Sequence, residues 1–206
     1  MCKTEILEPT EKNLIRAGEM IRAGELVAFP TETVYGLGAD GLNKSAREKI
    51  YLAKGRPSDK PLTLHVASLE QVEKIAKISA AAKKLFEKFC PGPLTIILPK
   101  AENIPDFVAK KNIGLRFPDN EVALKLIKIS NCPIAAPSAN ISGQIPPKTA
   151  QDVLKNLSGR VPIILDGGKC KFGISSTIVD LSEDEPKFLR VGAIPPEEII
   201  SFLRKI

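Results

Sequence analysis

The chain has 206 residues, 43% hydrophobic and 26% charged, with a net charge of +6. This is ordinary globular usage, enough apolar material for a sizeable core in one large domain, and the basic balance favours an anionic partner such as a nucleotide or RNA. Four cysteines lie far apart without a C-x-x-C and there is one histidine, which excludes the usual Cys/His zinc set, and no apolar run approaches the roughly 20 residues of a membrane span.

In chain order, the N-terminal MCKTEILEPTEK is too charged for a signal peptide. Thr10 is placed to cap a helix over 11–23, with Leu14, Ala17 and Ile21 on one face and Gly24 at its C′ position. Leu26–Phe29 is the first strand, followed by a polar loop, Pro30–Gly41. Ser45-x-x-Glu48 is a capping box for a helix carrying Ala46, Ile50 and Ala53. Leu62–Val66 is the second strand; Ser68 and Ser79 open two further helices, the second over 80–89. Leu94–Leu98 and Ile113–Phe117 are strands separated by a loop, and Asp119 caps a helix over 120–129. Ile134–Ala136 is a strand, Thr149-x-x-Asp152 starts a helix that Gly159 ends, and Val161–Leu165 is a strand before the turn Asp166-Gly167-Gly168. Ser176–Leu181 and Phe188–Val191 read as an antiparallel pair, and Pro195-Pro196 opens the last helix. Strands mixed with helices in one domain predict an α/β (α+β) fold: a twisted mixed parallel/antiparallel sheet flanked by helices.

Gly36-x-Gly38-x-x-Gly41 matches the dinucleotide fingerprint as a string. The mechanism needs the first glycine directly after a strand, whereas Pro30 to Tyr35 intervene, so the glycines read as shaping a tight loop. Lys54-Gly55-Arg56, with Lys60 nearby, is either a set of cations complementing a helix C-terminus or a phosphate clamp. His65 alternates with Leu64 in a strand, and a half-exposed or internally bonded histidine is the usual case. Arg116 inside the apolar strand IGLRF must snorkel, pair or bind an anion, and Arg190 in FLRVG repeats that pattern. Ser138 and Asn140 lie just past a strand, where α/β sheets place ligand contacts; turn chemistry is the other reading. No G-x-S-x-G elbow supports a nucleophilic triad. Aromatic residues are 5% with no tryptophan, which argues against a stacking platform for single strands.

FPTETVYGLGAD (29–40), KGRPSDKPLTLHV (54–66), PGPLTIIL (91–98), GLRFPD (114–119), APSANISG (136–143), DGG (166–168), SSTIVDL (175–181) and LRVGAI (189–194) together resemble the YrdC/Sua5/TsaC family of L-threonylcarbamoyladenylate synthases, in the family's order. The resemblance implies a single YrdC/RibB-like domain over 1–206 with a concave basic cleft, in the cytoplasm. It implies a nucleotidyltransferase that joins L-threonine, bicarbonate and ATP, with Mg2+ held mainly by the ATP phosphates, and releases pyrophosphate. The product would feed t6A modification beside the tRNA anticodon, through a downstream threonylcarbamoyl transferase complex, with weak tRNA binding at most. By motif, Thr33, His65, Arg116, the Ala136 backbone and Ser176 would hold threonine and its carbamate. Arg56, Lys60, Asn112, Ser138, the residue at Pro146 and Arg190 would contact ATP, and Lys54 and Arg56 form the K-x-R pair assigned to catalysis. Asn112 stands where threonine is frequent, Pro146 lies in a stretch that replaces the usual E-P-S-P-T, and Ser175 stands where an acid is common. From charge alone, an RNA-binding module without chemistry is the alternative.

Overall fold

A computed structural model describes residues 2–183 and 185–205. Its strands are β1 (Glu5–Leu7), β2 (Val27–Phe29), β3 (Gly36–Asp40), β4 (Leu64–His65), β5 (Leu94–Pro99), β6 (Asn112–Arg116), β7 (Ile134–Ala135), β8 (Ile163–Leu165), β9 (Thr177–Asp180) and β10 (Lys187–Arg190). Its helices are α1 (Glu11–Arg22), α2 (Lys44–Lys54), α3 (Leu69–Ile75), α4 (Ala80–Phe89), α5 (Glu121–Ser130), α6 (Ala150–Leu157) and α7 (Pro196–Leu203). The strands form one sheet in the order β1-β8-β2-β3-β7-β4-β6-β5-β9-β10, with parallel and antiparallel neighbours mixed as expected. Adjacent β9 and β10 are antiparallel, with an irregularity between Phe188 and Arg190.

Most helix starts follow the local chemistry. Thr10, Ser68 and Ser79 accept hydrogen bonds from Asn13, Gln71 and Ala82 N–H groups. Thr149 and Asp152 form a reciprocal capping box. Two caps differ from expectation. Asn43, not Ser45, caps α2, and the Ser45 hydroxyl instead donates to Asn43 Oδ1. Asn120, not Asp119, caps α5, and the Asp119 N–H donates to Glu32.

The largest departure is β3, which runs through the stretch expected to be loop. Its glycines have no positive φ; they are there for close packing. A Cβ on Gly38 would sit 2.6 Å from Phe29 Cε1 and 2.8 Å from Ile134 Cγ2, and one on Gly41 2.6 Å from Leu64 Cδ2. Glycine is poor in isolated strands, but here it lets the Phe29 ring lie flat across the neighbouring strand.

Two cores fill the two faces of the sheet. On one face α2, α3, α4, α6 and α7 bury Ile50, Val72, Phe86, Val153 and Ile199 against Leu37, Leu64, Leu115, Ile96 and Val179. On the other, α1 and α5 bury Leu14, Ile21, Leu126 and Ile127 against Val27, Phe29, Ile134 and Ile163. That second core ends at Ile134, which is paired directly with His65 of β4. Beyond it the same face of β4, β6, β5, β9 and β10 carries polar side chains and forms an open cleft.

Candidate active site

The floor of the cleft is a product of strand register. His65 is the partner of Arg116, Arg116 of Thr95, Thr95 of Ile178 and Ile178 of Arg190, one row across five strands. Partners directly opposite share a face, so the row points into the cleft together. One step along, Gly114, Ile97 and Asp180 form a second row. Gly114 keeps the floor low, since a Cβ there would meet nothing nearer than 3.6 Å and the space is left to the cleft. The cavity measures about 480 Å³.

Nine of the twelve residues singled out from sequence line it: Thr33, Arg56, His65, Asn112, Arg116, Ala136, Ser138, Ser176 and Arg190. Lys54, Lys60 and Pro146 do not. Lys54 is 2% exposed and lies beneath the wall, where its Nζ donates to the carbonyls of Ser138 and, at 2.6 Å, Asn140. Lys60 is exposed, and its carbonyl accepts a hydrogen bond from Tyr51 Oη. Pro146 is half-buried outside the cavity; its neighbour Pro147 accepts from the Tyr35 N–H. Asn140, a candidate for ligand contact, turns inward: Nδ2 bonds the carbonyls of Ile141 and Gln144 and knits the loop that carries Ser138.

Arg116 is the centre of the site. Its Nη2 donates to Glu32 Oε1 at 2.8 Å and to Thr33 Oγ1 at 2.7 Å, while Nε is buried without a partner. Thr33 Oγ1 also lies 2.8 Å from Thr31 Oγ1, whose own proton goes to the Val34 carbonyl. At the other end, Arg190 donates from Nε to the Ser176 carbonyl and from Nη2 to Ser176 Oγ, which is 2.8 Å from Thr95 Oγ1. Arg56 donates to the Pro61 carbonyl, and its Nε is buried without a partner. The Ala136 N–H is already given to the Thr63 carbonyl, which leaves the Ala136 carbonyl for a ligand.

Among the described residues only Arg116 of the three cleft arginines is paired with a carboxylate. Burial and then the Arg116 charge lower the pKa of Arg190 and push that of His65 down to about 3. Burial and then the charge of Arg56 lower Lys54 to about 8. Each of these groups thus lies near a neighbouring cation, and an anionic ligand in the cleft would offset that charge.

His65 is therefore neutral at pH 7. The unfolded chain takes up a proton near pH 6.5 that the fold refuses until about pH 3, so the stability contributed by this group is lost as pH falls. Between pH 6.5 and 5 the wild type is expected to lose about 2 kcal/mol more than His65→Gln, measured by urea denaturation. Equal losses would mean that the folded protein protonates His65.

Glu32 belongs to the loop that, with Thr31, Thr33 and Tyr35, reads from sequence as a binding floor, but without a role of its own; Thr63, Thr95, Gly114 and Asp180 carry no expectation of a site role. A threonine inside the apolar LTIIL was the one local signal for Thr95; the others depend on pairings between distant strands.

Fold and site together define an α/β protein with an arginine-rich cleft suited to anionic ligands. The Sua5/YciO/YrdC family model, described as "Telomere recombination", matches residues 19–192, and the chain belongs to that family. It is 49% identical over 193 residues to the threonylcarbamoyl-AMP synthase of Pyrococcus abyssi, covering 92% of this chain and 57% of the relative. It is 44% identical over 200 residues to that of Bacillus subtilis, covering 95% and 58%. The structure of P. abyssi Sua5 complexed with L-threonine superposes with a TM-score of 0.91 at 46% identity, covering 98% of this chain and 60% of that one. The chain thus spans a little over half the length of these relatives.

Proposed function

We propose that this chain synthesises L-threonylcarbamoyl-AMP as a nucleotidyltransferase, acting as a single YrdC-like domain. What supports the reading most is that nine residues drawn from position 33 to position 190, each assigned by motif to threonine or ATP, line one cleft. The P. abyssi protein that binds L-threonine shares this fold closely.

In this reading the threonine amine adds to the carbon of bicarbonate with loss of water, giving a carbamate. A carbamate oxygen then attacks the α-phosphorus of ATP, the bond from that phosphorus to the bridging oxygen breaks, and pyrophosphate leaves. Both reactants are anions, so the cleft must offset their repulsion and hold them in line. Arg116, with Thr33, His65, Ser176 and the Ala136 carbonyl, forms the threonine side. Arg56, Ser138, Asn112 and Arg190 form the ATP side, with Lys60 and Pro146 outside the cavity and reached only by a long triphosphate or a loop movement. Lys54 acts from below on the loop that presents Ser138. Electrostatic stabilisation is the main catalytic term and no covalent nucleophile is required.

Magnesium would enter with the triphosphate and, when bound, neutralise phosphate charge. Among the described residues no cluster of three His, Cys, Asp or Glu side chains is arranged for a metal, and Asp180 is the one carboxylate lining the cleft. A cation held mainly by ATP phosphates fits that donor set. The product would pass to a threonylcarbamoyl transferase complex for t6A modification of tRNA in the cytoplasm, with tRNA itself bound weakly at most. No described helix is long and apolar enough to cross a membrane.

The test is pyrophosphate release from ATP and magnesium. The reading expects release only when both threonine and bicarbonate are present; release that ignores either would overturn it.

A further inference from the structure

We propose that Glu32 is a positioning residue that fixes the Arg116 guanidinium for the amino-acid substrate; this rests on the function proposed above. Glu32 is 2% exposed, and its side chain ties its own loop to one stretch far along the chain, Arg116–Asp119. Oε1 accepts from Arg116 Nη2 of β6 at 2.8 Å, and Oε2 accepts from the Asp119 N–H, at the entry to α5, at 3.0 Å. The loop that carries it is clamped in turn, because the Phe172 N–H donates to the Glu32 carbonyl and the Gly173 N–H to the Thr33 carbonyl.

The arrangement does two things. The carboxylate engages Arg116 through one oxygen and one nitrogen only, so the guanidinium is tethered at Nη2 and its other edge is left to the cleft. Glu32 also neutralises Arg116, whereas Arg56 and Arg190 have no carboxylate partner among the described residues. The two halves of the cleft therefore differ in kind. The half at Arg116 binds by direction, and the half at Arg56 and Arg190 binds by charge. A carboxylate is needed at position 32 because it is acceptor-only at both oxygens; an amide could satisfy Arg116 or the Asp119 N–H but would present its own N–H groups to the other.

This division gives a signature that a merely structural role does not. Glu32→Gln removes the neutralising charge and can keep only one of the two hydrogen bonds, so the guanidinium loses its fixed anchor. Threonine affinity should fall about tenfold or more, in line with the loss of other partners that orient a binding group. Binding of inorganic pyrophosphate should be unchanged or tighter, since the net charge of the cleft becomes more positive. In an Arg116→Gln background the same substitution should change threonine affinity by less than about threefold, because the group it acts through is gone.

The experiment is calorimetric titration of threonine and, separately, of pyrophosphate into the full chain and the three variants, with wild-type pyrophosphate release as the control. A threonine-selective loss that vanishes in the Arg116→Gln background supports the proposal. Parallel weakening of both ligands, no change in either, or full additivity overturns it. Should Glu32→Gln fail to fold, Glu32→Asp decides the matter, because it keeps the charge and shortens the reach: it must show the same threonine-selective loss. A wild type that passes the control while the variants lack the signature removes the role of Glu32 alone; a wild type that fails the control removes the proposed function.

Discussion

On the function proposed above, Lys54→Met is expected to cut kcat/KM about a hundredfold while changing stability little. The buried ammonium bonds the carbonyls of Ser138 and Asn140, and the Lys54 carbonyl accepts from the Ser142 N–H, so one residue pins both ends of the loop bearing Ser138. Methionine has a similar length and no donor. Leaving the buried Asn140 carbonyl without a donor costs about 1–3 kcal/mol, and the Ser138 carbonyl, which keeps the Asn140 N–H, loses one of two bonds. Against that, keeping an ammonium buried whose pKa has fallen from 10.5 to about 8 already costs roughly 3 kcal/mol at pH 7. The two terms largely offset, so the melting temperature should move little and the loss should appear in the positioning of ATP by the loop, a misplacement of about 1 Å being worth about a hundredfold. Enzyme kinetics beside a thermal melt reads both. Full activity in Lys54→Met would show that the loop keeps its shape without the clamp.

Arg56→Ala is expected to lose about 10²- to 10³-fold in kcat and to stay folded. Its guanidinium is half-buried at the cleft wall, makes one hydrogen bond, to the Pro61 carbonyl, and has Nε buried without a partner. Removing it frees little protein structure but takes one of the two uncompensated cations from the proposed phosphate side, where charge would develop as pyrophosphate departs. Lysine should recover only part of the loss, because it offers a point charge and not a planar fork. Unfolding of Arg56→Ala would return this residue to the simpler role of capping α2, whose C-terminus Gly55 ends at φ 58°.

Much of the fold is legible in the chain because local signals agree. The helices α1, α3, α4, α6 and α7 start where Thr10, Ser68, Ser79, Thr149 and Pro195-Pro196 place them. The adjacent strands β9 and β10 pair as expected. Strand β1 was missed because EIL is short and flanked by charge; only its pairing with β8 makes it a strand. Strand β3 was missed for a different reason: GLGAD has poor strand propensity, and the demand for its glycines comes from the ring of Phe29 on the next strand. The competing caps at Asn43 and Asn120 are separated from Ser45 and Asp119 by one or two residues, below what capping patterns resolve.

The candidate site divides along the same line. Arg116 and Arg190 stand out in sequence because an arginine inside an apolar strand needs a reason. That they share one row with His65 and Thr95 is set by register across four strand pairs, which no local pattern encodes. Glu32 is the sharper case. Its partner is 84 residues away, and nothing in PTETV distinguishes a buried carboxylate clamp from a turn acid. From spacing Lys54 reads equally as a helix-end cation or as part of a phosphate clamp, whereas its ammonium is spent on backbone carbonyls below the cleft wall.

The most direct measurement of the central claim is mass spectrometry of the nucleotide product formed from threonine, ATP and magnesium with carbon-13 bicarbonate. The account predicts an adenylate that carries threonine and one labelled carbon, formed in step with pyrophosphate. An unlabelled threonyl adenylate, or hydrolysis of ATP with no carbon incorporated, would contradict it.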